Sequence, residues 1–282
     1  MAVKPPDGWG LCHVENAEQD EGDEFERGKA LLAELLAARP QERVDVPVGE
    51  LVVGLKCGGS DGFSGLTANP LVGRFSDWLV ARGGSTTLTE VPEMFGAETL
   101  LMKRCRTKDV FDKCVRMING FKDYYARHNQ VCYENPSPGN KAGGITTLED
   151  KSLGCVQKGG SSPVEDVLDY GERVKRHGLS LMTGPGNDLV ASTVLAAAGA
   201  HMILFTTGRG TPFGCVVPTM KVATNNRLAA AKPGWIDYNA MADGDVEHFA
   251  AKVLRIASGE DLARNEINGA QGIAIFKDGV TL

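Results

Sequence analysis

Four segments of the chain join glycine to polar or ionisable side chains, the combination that brings backbone and functional groups close to a ligand. The first, Gly54-Leu55-Lys56-Cys57-Gly58-Gly59-Ser60-Asp61-Gly62-Phe63-Ser64-Gly65, holds five glycines in twelve residues. Such a backbone turns sharply and approaches a ligand closely, offering Cys57, Ser60, Asp61 and Ser64. The second, Thr89-Glu90-Val91-Pro92-Glu93, sets two carboxylates at the end of a predicted strand. The third runs from Asn135 through Asn140 and Lys141 to Gly144, continued by Thr146, Thr147, Glu149 and Lys151. The fourth is Phe205-Thr206-Thr207-Gly208-Arg209-Gly210, followed by Phe213-Gly214-Cys215.

Each segment also has a plainer reading. A glycine-rich loop after a strand is often only a tight connection, and two carboxylates around Val-Pro commonly mark a surface turn. Arg209 is either a structural ion-pair partner or, flanked by glycines, a fork for bidentate capture of a carboxylate. Cys105, Cys114 and Cys155 read as small buried hydrophobes. All five histidines lie outside the four segments, so a histidine-centred mechanism has little support. Neither GxxxxGK[ST] nor GxGxxG occurs in strand-loop-helix context, which argues against a nucleotide-dependent oxidoreductase.

The elements that must carry these loops alternate. A helix is expected from Phe25 until Arg39-Pro40, on the spacing of Leu31, Leu32, Leu35 and Leu36. A buried strand at 51–55 leads into the first loop. A helix over 70–82 and a strand over 85–90 follow, then a long helix over 97–126. Beyond the third segment the pattern predicts a helix over 164–177, a strand over 179–182, a helix over 191–199 and a strand over 202–205. A helix over 246–258 and a last strand over 272–276 complete it. Strand-helix alternation predicts an α/β fold with mostly parallel pairing and flanking helices. Ligands of such sheets bind beyond the carboxyl ends of the strands. An acidic lead-in (1–24) is expected to be mobile, with lobes at 25–134 and 135–282.

Composition narrows the class. The 282 residues suffice for one large or two modest cores. Net charge is −6 without a basic stripe, so nucleic acid is not an expected partner. No apolar run reaches the roughly 20 residues of a membrane helix, and the N-terminus lacks a secretory h-region. Seven scattered cysteines without CxxC spacing argue for a reducing, cytoplasmic setting.

The stretches ELVVGLKCGGSDGFSGLTANP, TEVPEMFGAE, NPSPGNKAGGITTLEDKSLG and FTTGRGTPFG occur in this order. Together they closely resemble the large catalytic region of the galactarate/altronate dehydratase family, from about Val46 to the C-terminus. The resemblance implies dehydration of a sugar acid such as galactarate or altronate, or action on sulfolactate, with iron or manganese. It also implies a small SAF-like domain on the same chain or on a partner subunit; none is recognised before Val46. A homo-oligomer is expected. For such a dehydration Asp61, Glu90 and Glu93 offer hard oxygen ligands for a metal and Cys57 a softer one, favouring iron over magnesium. Arg209 and Lys141 would clamp carboxylates, Lys141 or Lys158 would act as base, and Ser60, Ser64, Asn135, Asn140, Thr206, Thr207 and Gly208 would bind substrate. A binding or regulatory paralogue without turnover, or a fragment inactive without an N-terminal part, is the alternative reading.

Overall fold

The structure, a computed structural model, describes residues 22–37, 43–132 and 135–281. Most of the acidic lead-in therefore lies outside the described residues. The chain divides into two units, 1–46 and 47–282. The first contains helix α1 (Glu24–Ala37), where leucine spacing predicts it.

The second unit is built on one seven-stranded sheet. Its strands are β1 (Val52–Cys57), β2 (Ser85–Leu88), β3 (Val164–Leu168), β4 (Gly178–Met182), β5 (Met202–Thr207), β6 (Thr219–Ala223) and β7 (Tyr238–Asn239). Their order is β3-β4-β2-β1-β5-β6-β7, and every pair is parallel. All carboxyl ends consequently lie on one edge. Strands from both sides of residue 135 share this sheet, with β1 and β2 flanked by β4 and β5.

Strand periodicity sorts the two faces. Val53 and Leu55 of β1 join the main core with α2 (Ala68–Val80). A side chain at Gly54 would strike Leu195 of α7 (Asp188–Ala197), on the opposite face. The main core also takes α4 (Lys108–Arg127), whose Val110, Cys114, Met117, Ile118 and Phe121 recur at helical spacing, and α9 (Val246–Ala257) through Phe249, Val253 and Ile256. The remaining helices are the short α3 (Glu98–Met102), α5 (Pro138–Ala142), α6 (Leu148–Cys155), α8 (Asn226–Ala231) and α10 (Arg264–Ile267). Among the described residues no helix is long and apolar enough to cross a membrane.

Three expected elements differ. The helix over 97–126 is two helices, because Thr107 accepts the Val110 N–H and caps α4 anew. The segment from Val164 is not a helix over 164–177 but begins as strand β3, an edge strand with a register shift between Val164 and Asp166 that breaks the alternation marking a strand. Residues 272–276 pair with no strand; Ala274 and Phe276 donate their N–H groups to the hydroxyls of Thr193 and Tyr170 instead. Strand β6 is not among the expected elements; Lys221 sits at its centre.

Lys221 is buried, and burial lowers its pKa from 10.5 to about 8 despite Asp237 and Asp188 nearby. The unfolded chain therefore binds more protons than the folded one between those values, so this group favours folding more as pH rises through the window. Lys221→Met is expected to raise stability at pH 7 by up to about 3 kcal/mol, a gain that disappears by about pH 10.5. Urea denaturation of both proteins across pH 7–10.5 measures it, and a pH-independent difference would assign the effect to packing.

Candidate active site

The loops that leave β1, β2, β4 and β5 meet at the carboxyl edge of the sheet. The order reverses around β1, with β2 on one side and β5 on the other, the arrangement that opens a crevice in such folds. A cavity of about 380 Å³ lies there, lined by Cys57, Glu93, Asn135, Asn140, Lys151, Asp188 and Arg209 among others.

Beneath it lies a chain of buried charges. Glu90, just past β2, has φ +69° and ψ 67°, a left-handed conformation costly outside glycine. Its Oε2 accepts the N–H of Cys57 at 2.8 Å, across from the end of β1. Lys56, fully buried, lies 3.2 Å from Glu90 Oε1 and donates to Asp188 Oδ1 at 2.7 Å. The Lys56 ammonium also sits 4.5 Å from the centre of the Phe205 ring. Lys158, equally buried, stands 3.8 Å from Glu90 Oε2. Burial raises the Glu90 carboxyl to about 8, the Cys57 charge adds to this, and the two lysines oppose it.

The second carboxylate supports a different group. Glu93 accepts from the Lys151 ammonium and, at 3.3 Å, from Cys155 Sγ. Cys155 Sγ in turn lies 3.6 Å from Cys57 Sγ. That hydrogen bond holds the Cys57 thiol well below its ordinary range, with Lys158 assisting against burial, and pushes Cys155 well above it. Burial alone would lower Lys151 and Lys158. Glu93 for the first, and Cys155 and Cys57 for the second, outweigh it and hold both above their usual value. The interior thus stabilises one thiolate among ammonium groups. Cys57, Glu93 and Cys155 place a ligand atom each within 4.8 Å of one another, the one such grouping of three among the described residues.

The expected residues fall into three sets. Cys57, Glu93, Asn135, Asn140 and Arg209 line the cavity together. Glu90 and Lys158 lie behind it in the ion-pair chain. The others are elsewhere. Asp61 accepts from Ser64 Oγ, Thr224 Oγ1 and Asn225 Nδ2, in a separate knot. Thr206 donates to Asn69, Thr207 Oγ1 accepts the Gly210 N–H, and Gly208 is packed so closely on Asp61 that a side chain there would overlap it. Lys141 is exposed on α5 and does not line the cavity. Ser60 Oγ is buried without a hydrogen-bond partner.

Arg209 is placed by a close approach. Its guanidinium lies across Gly139, where any Cβ would overlap it. Asn140 fixes the same turn, its Nδ2 donating to the carbonyl of Ser60 and its Oδ1 accepting from the Ser137 N–H. Sequence reasoning gave no role to Lys56, Lys151, Cys155 or Asp188. Lys151 and Cys155 are four apart on α6, hence on one helical face. Asp188 follows Thr183-Gly184-Pro185-Gly186, a glycine-proline loop between a predicted strand and a predicted helix. Those signals were present.

The sheet and this site define the class: a parallel α/β protein whose cleft sets Arg209 and Lys151 beside two carboxylates and a thiol. Residues 48–281 match the family model for D-galactarate/Altronate dehydratase, C-terminal, and the chain belongs to that family. It is 61% identical over 269 residues to "Altronate dehydratase" of Bacillus subtilis (strain 168), covering 92% of this chain and 54% of that protein. It is 56% identical to "Altronate dehydratase" of Escherichia coli (strain K12), covering 94% and 55%. "Galactarate dehydratase (L-threo-forming)" of Escherichia coli (strain K12) is 39% identical, with 78% and 44% covered. The chain therefore spans about half the length of these relatives.

Proposed function

We propose that this chain carries the catalytic region of a hydro-lyase that dehydrates a sugar acid, altronate first and galactarate second, to a 2-keto-3-deoxy acid. The observation that carries the reading is the cavity in which Arg209, Lys151 and two asparagines face a thiol-carboxylate group. The two relatives above 50% identity, both named altronate dehydratase, support the order of substrates.

In this reaction the C2–H bond breaks and its electron pair becomes the C2=C3 bond. The C3–O bond breaks with its pair on oxygen, which takes a proton and leaves as water; the enol then becomes the keto acid. Removing the C2 proton loads negative charge on the adjacent carboxylate, so cations are needed there. Arg209 binds the carboxylate through its planar fork, Lys151 adds charge from below, and Asn135 and Asn140 bind hydroxyls. Asp188, a carboxylate on the cavity wall anchored by Lys56, is the proposed proton acceptor in place of Lys141 or Lys158.

Two sulfurs and one carboxylate oxygen form a donor set for a divalent transition metal, Fe2+ first and Mn2+ second, rather than magnesium. Cys57, Glu93 and Cys155 are the residues that would hold it. When bound, such an ion supplies Lewis-acid polarisation of a substrate oxygen. A SAF-like domain, in the same protein or on a partner subunit, and a cytoplasmic homo-oligomer complete the proposal.

The test is formation of 2-keto acid from a panel of aldonates, aldarates and sulfolactate with Fe2+ under anaerobic conditions, with and without a SAF-like partner. No keto acid from any of them in the reconstituted complex would overturn the reading. Arg209→Lys keeps the charge and loses the fork, and is expected to weaken acid binding about ten-fold or more; unchanged affinity by calorimetry assigns Arg209 to structure. Asp188→Asn is expected to lower kcat by about 10²–10⁴ with KM little changed. An equal loss through KM alone would make Asp188 a binding group.

A further inference from the structure

The buried thiol pair separates two cavities. Cys57 lines the front cavity described above. Cys155, 3.6 Å away, lines a second cavity of about 300 Å³ on the other side. Lys151 lines both. The rim of the second cavity is exposed at Leu66, Leu153 and Gln157, while its floor at Ser60, Lys151 and Cys155 is buried. It therefore runs from solvent to the back of the thiol-carboxylate group without passing the organic-anion site.

Its floor suits water. The Ser60 hydroxyl is 2% exposed and has no partner in the protein. A buried hydroxyl left so costs stability unless an ordered water serves it. Lys151 meets Glu93, but an ammonium carries three N–H groups, so it can also donate to water. Each water takes roughly 30 Å³ in the liquid, so the cavity has room for several. The exposed rim carries Leu66 and Leu153 beside Asp150 and Gln157 and, among the described residues, holds no cation for an organic acid. Room for water and the polar floor point to the same ligand.

We propose that this cavity is a water conduit serving the back of the cluster, while the front cavity holds the organic anion. Water reaches and leaves Lys151 and Cys155 through the gap between Leu66 and Leu153. Resting on the dehydratase reading, the conduit gives the oxygen lost from C3 an exit after it has become water, without displacing the acid. The conduit itself is a statement about access and can be tested without turnover.

The test follows alkylation of the two thiols by iodoacetamide in the full chain, after chelation, by peptide mass spectrometry at early times. In the native protein Cys155, held the more strongly protonated of the pair, reacts more slowly than Cys57 but measurably. Leu153→Trp, a rim change, slows Cys155 at least ten-fold further with Cys57 unaffected. Leu66→Trp, on the opposite lip, gives the same result, and an unaltered thermal midpoint establishes that both variants are folded. In the native protein saturating altronate, or galactarate, slows Cys57 and leaves Cys155 reactive. Cys155 alkylation that neither tryptophan slows, or that is slowed together with Cys57, overturns the conduit. Absence of protection by either acid, with the tryptophan effect intact, counts against the substrate proposal and leaves the conduit standing.

Discussion

Lys56→Met is expected to cost about 3–5 kcal/mol of stability, the range found when one partner of a buried ion pair is removed. The side chain is fully buried between Glu90 and Asp188, at 3.2 and 2.7 Å. Methionine fills nearly the same volume, so packing changes little and the loss isolates the charge. Lys158, at 3.8 Å, then remains as the ammonium nearest Glu90. The paired change Lys56→Met with Glu90→Gln is expected to recover part of the loss, since the fully buried Glu90 then carries no charge and Asp188, the other partner of Lys56, is open to solvent on the cavity wall. Urea denaturation of the two single variants and the double variant forms the cycle that measures this. A single-variant loss under 1 kcal/mol would mean that the buried ion pairs hold the site together less than its local packing does.

The second large effect concerns metal. In protein reconstituted anaerobically with Fe2+, together with any partner the enzyme requires, bound iron is expected near one per chain. Cys57→Ser, Glu93→Gln and Cys155→Ser are each expected to weaken iron binding at least a hundred-fold, because even outer partners of metal ligands cost about 10–100-fold. Asp61→Asn is expected to retain iron, since its carboxylate serves Ser64, Thr224 and Asn225. Elemental analysis after gel filtration reads the outcome. Iron kept by Cys155→Ser but lost by Asp61→Asn would reverse the assignment and restore the ligand set read from residue type. Full occupancy in all four would remove the thiol-carboxylate group from the metal site.

Much of the site was legible because chemistry was concentrated in four short segments. A strand ending in a polar glycine-rich loop places Cys57 and its neighbours at a sheet edge whatever the fold's details, and the same argument placed Arg209 after β5. Asn135 and Asn140 were found on the same ground. The α/β class followed from alternating elements, and the all-parallel sheet agrees with it. Local reasoning failed where two local signals competed. Val164–Leu168 carries apolar spacing compatible with a helix, and only pairing with β4 makes it a strand. Thr219–Ala223 is an interior strand absent from the expected elements, with Lys221 buried at its centre.

The sequence by itself therefore determined the class of fold, the loops that meet at the cavity and the family to which they belong. Tertiary structure alone decided which ionisable groups meet. Lys56 and Asp188 are 132 residues apart, and Cys57 and Cys155 are 98 apart. Spacing along the chain holds no information on such pairs. Parallel strand register and the docking of α6 and α7 create them, and burial then changes what each group is. A cysteine read as a packing residue becomes the hydrogen-bond partner of Cys57. Asp61, chosen as a ligand by its type and position, is spent on hydrogen bonds from Ser64, Thr224 and Asn225. Residue type is local, whereas proton affinity and metal affinity depend on neighbours in space, and only the fold supplies those.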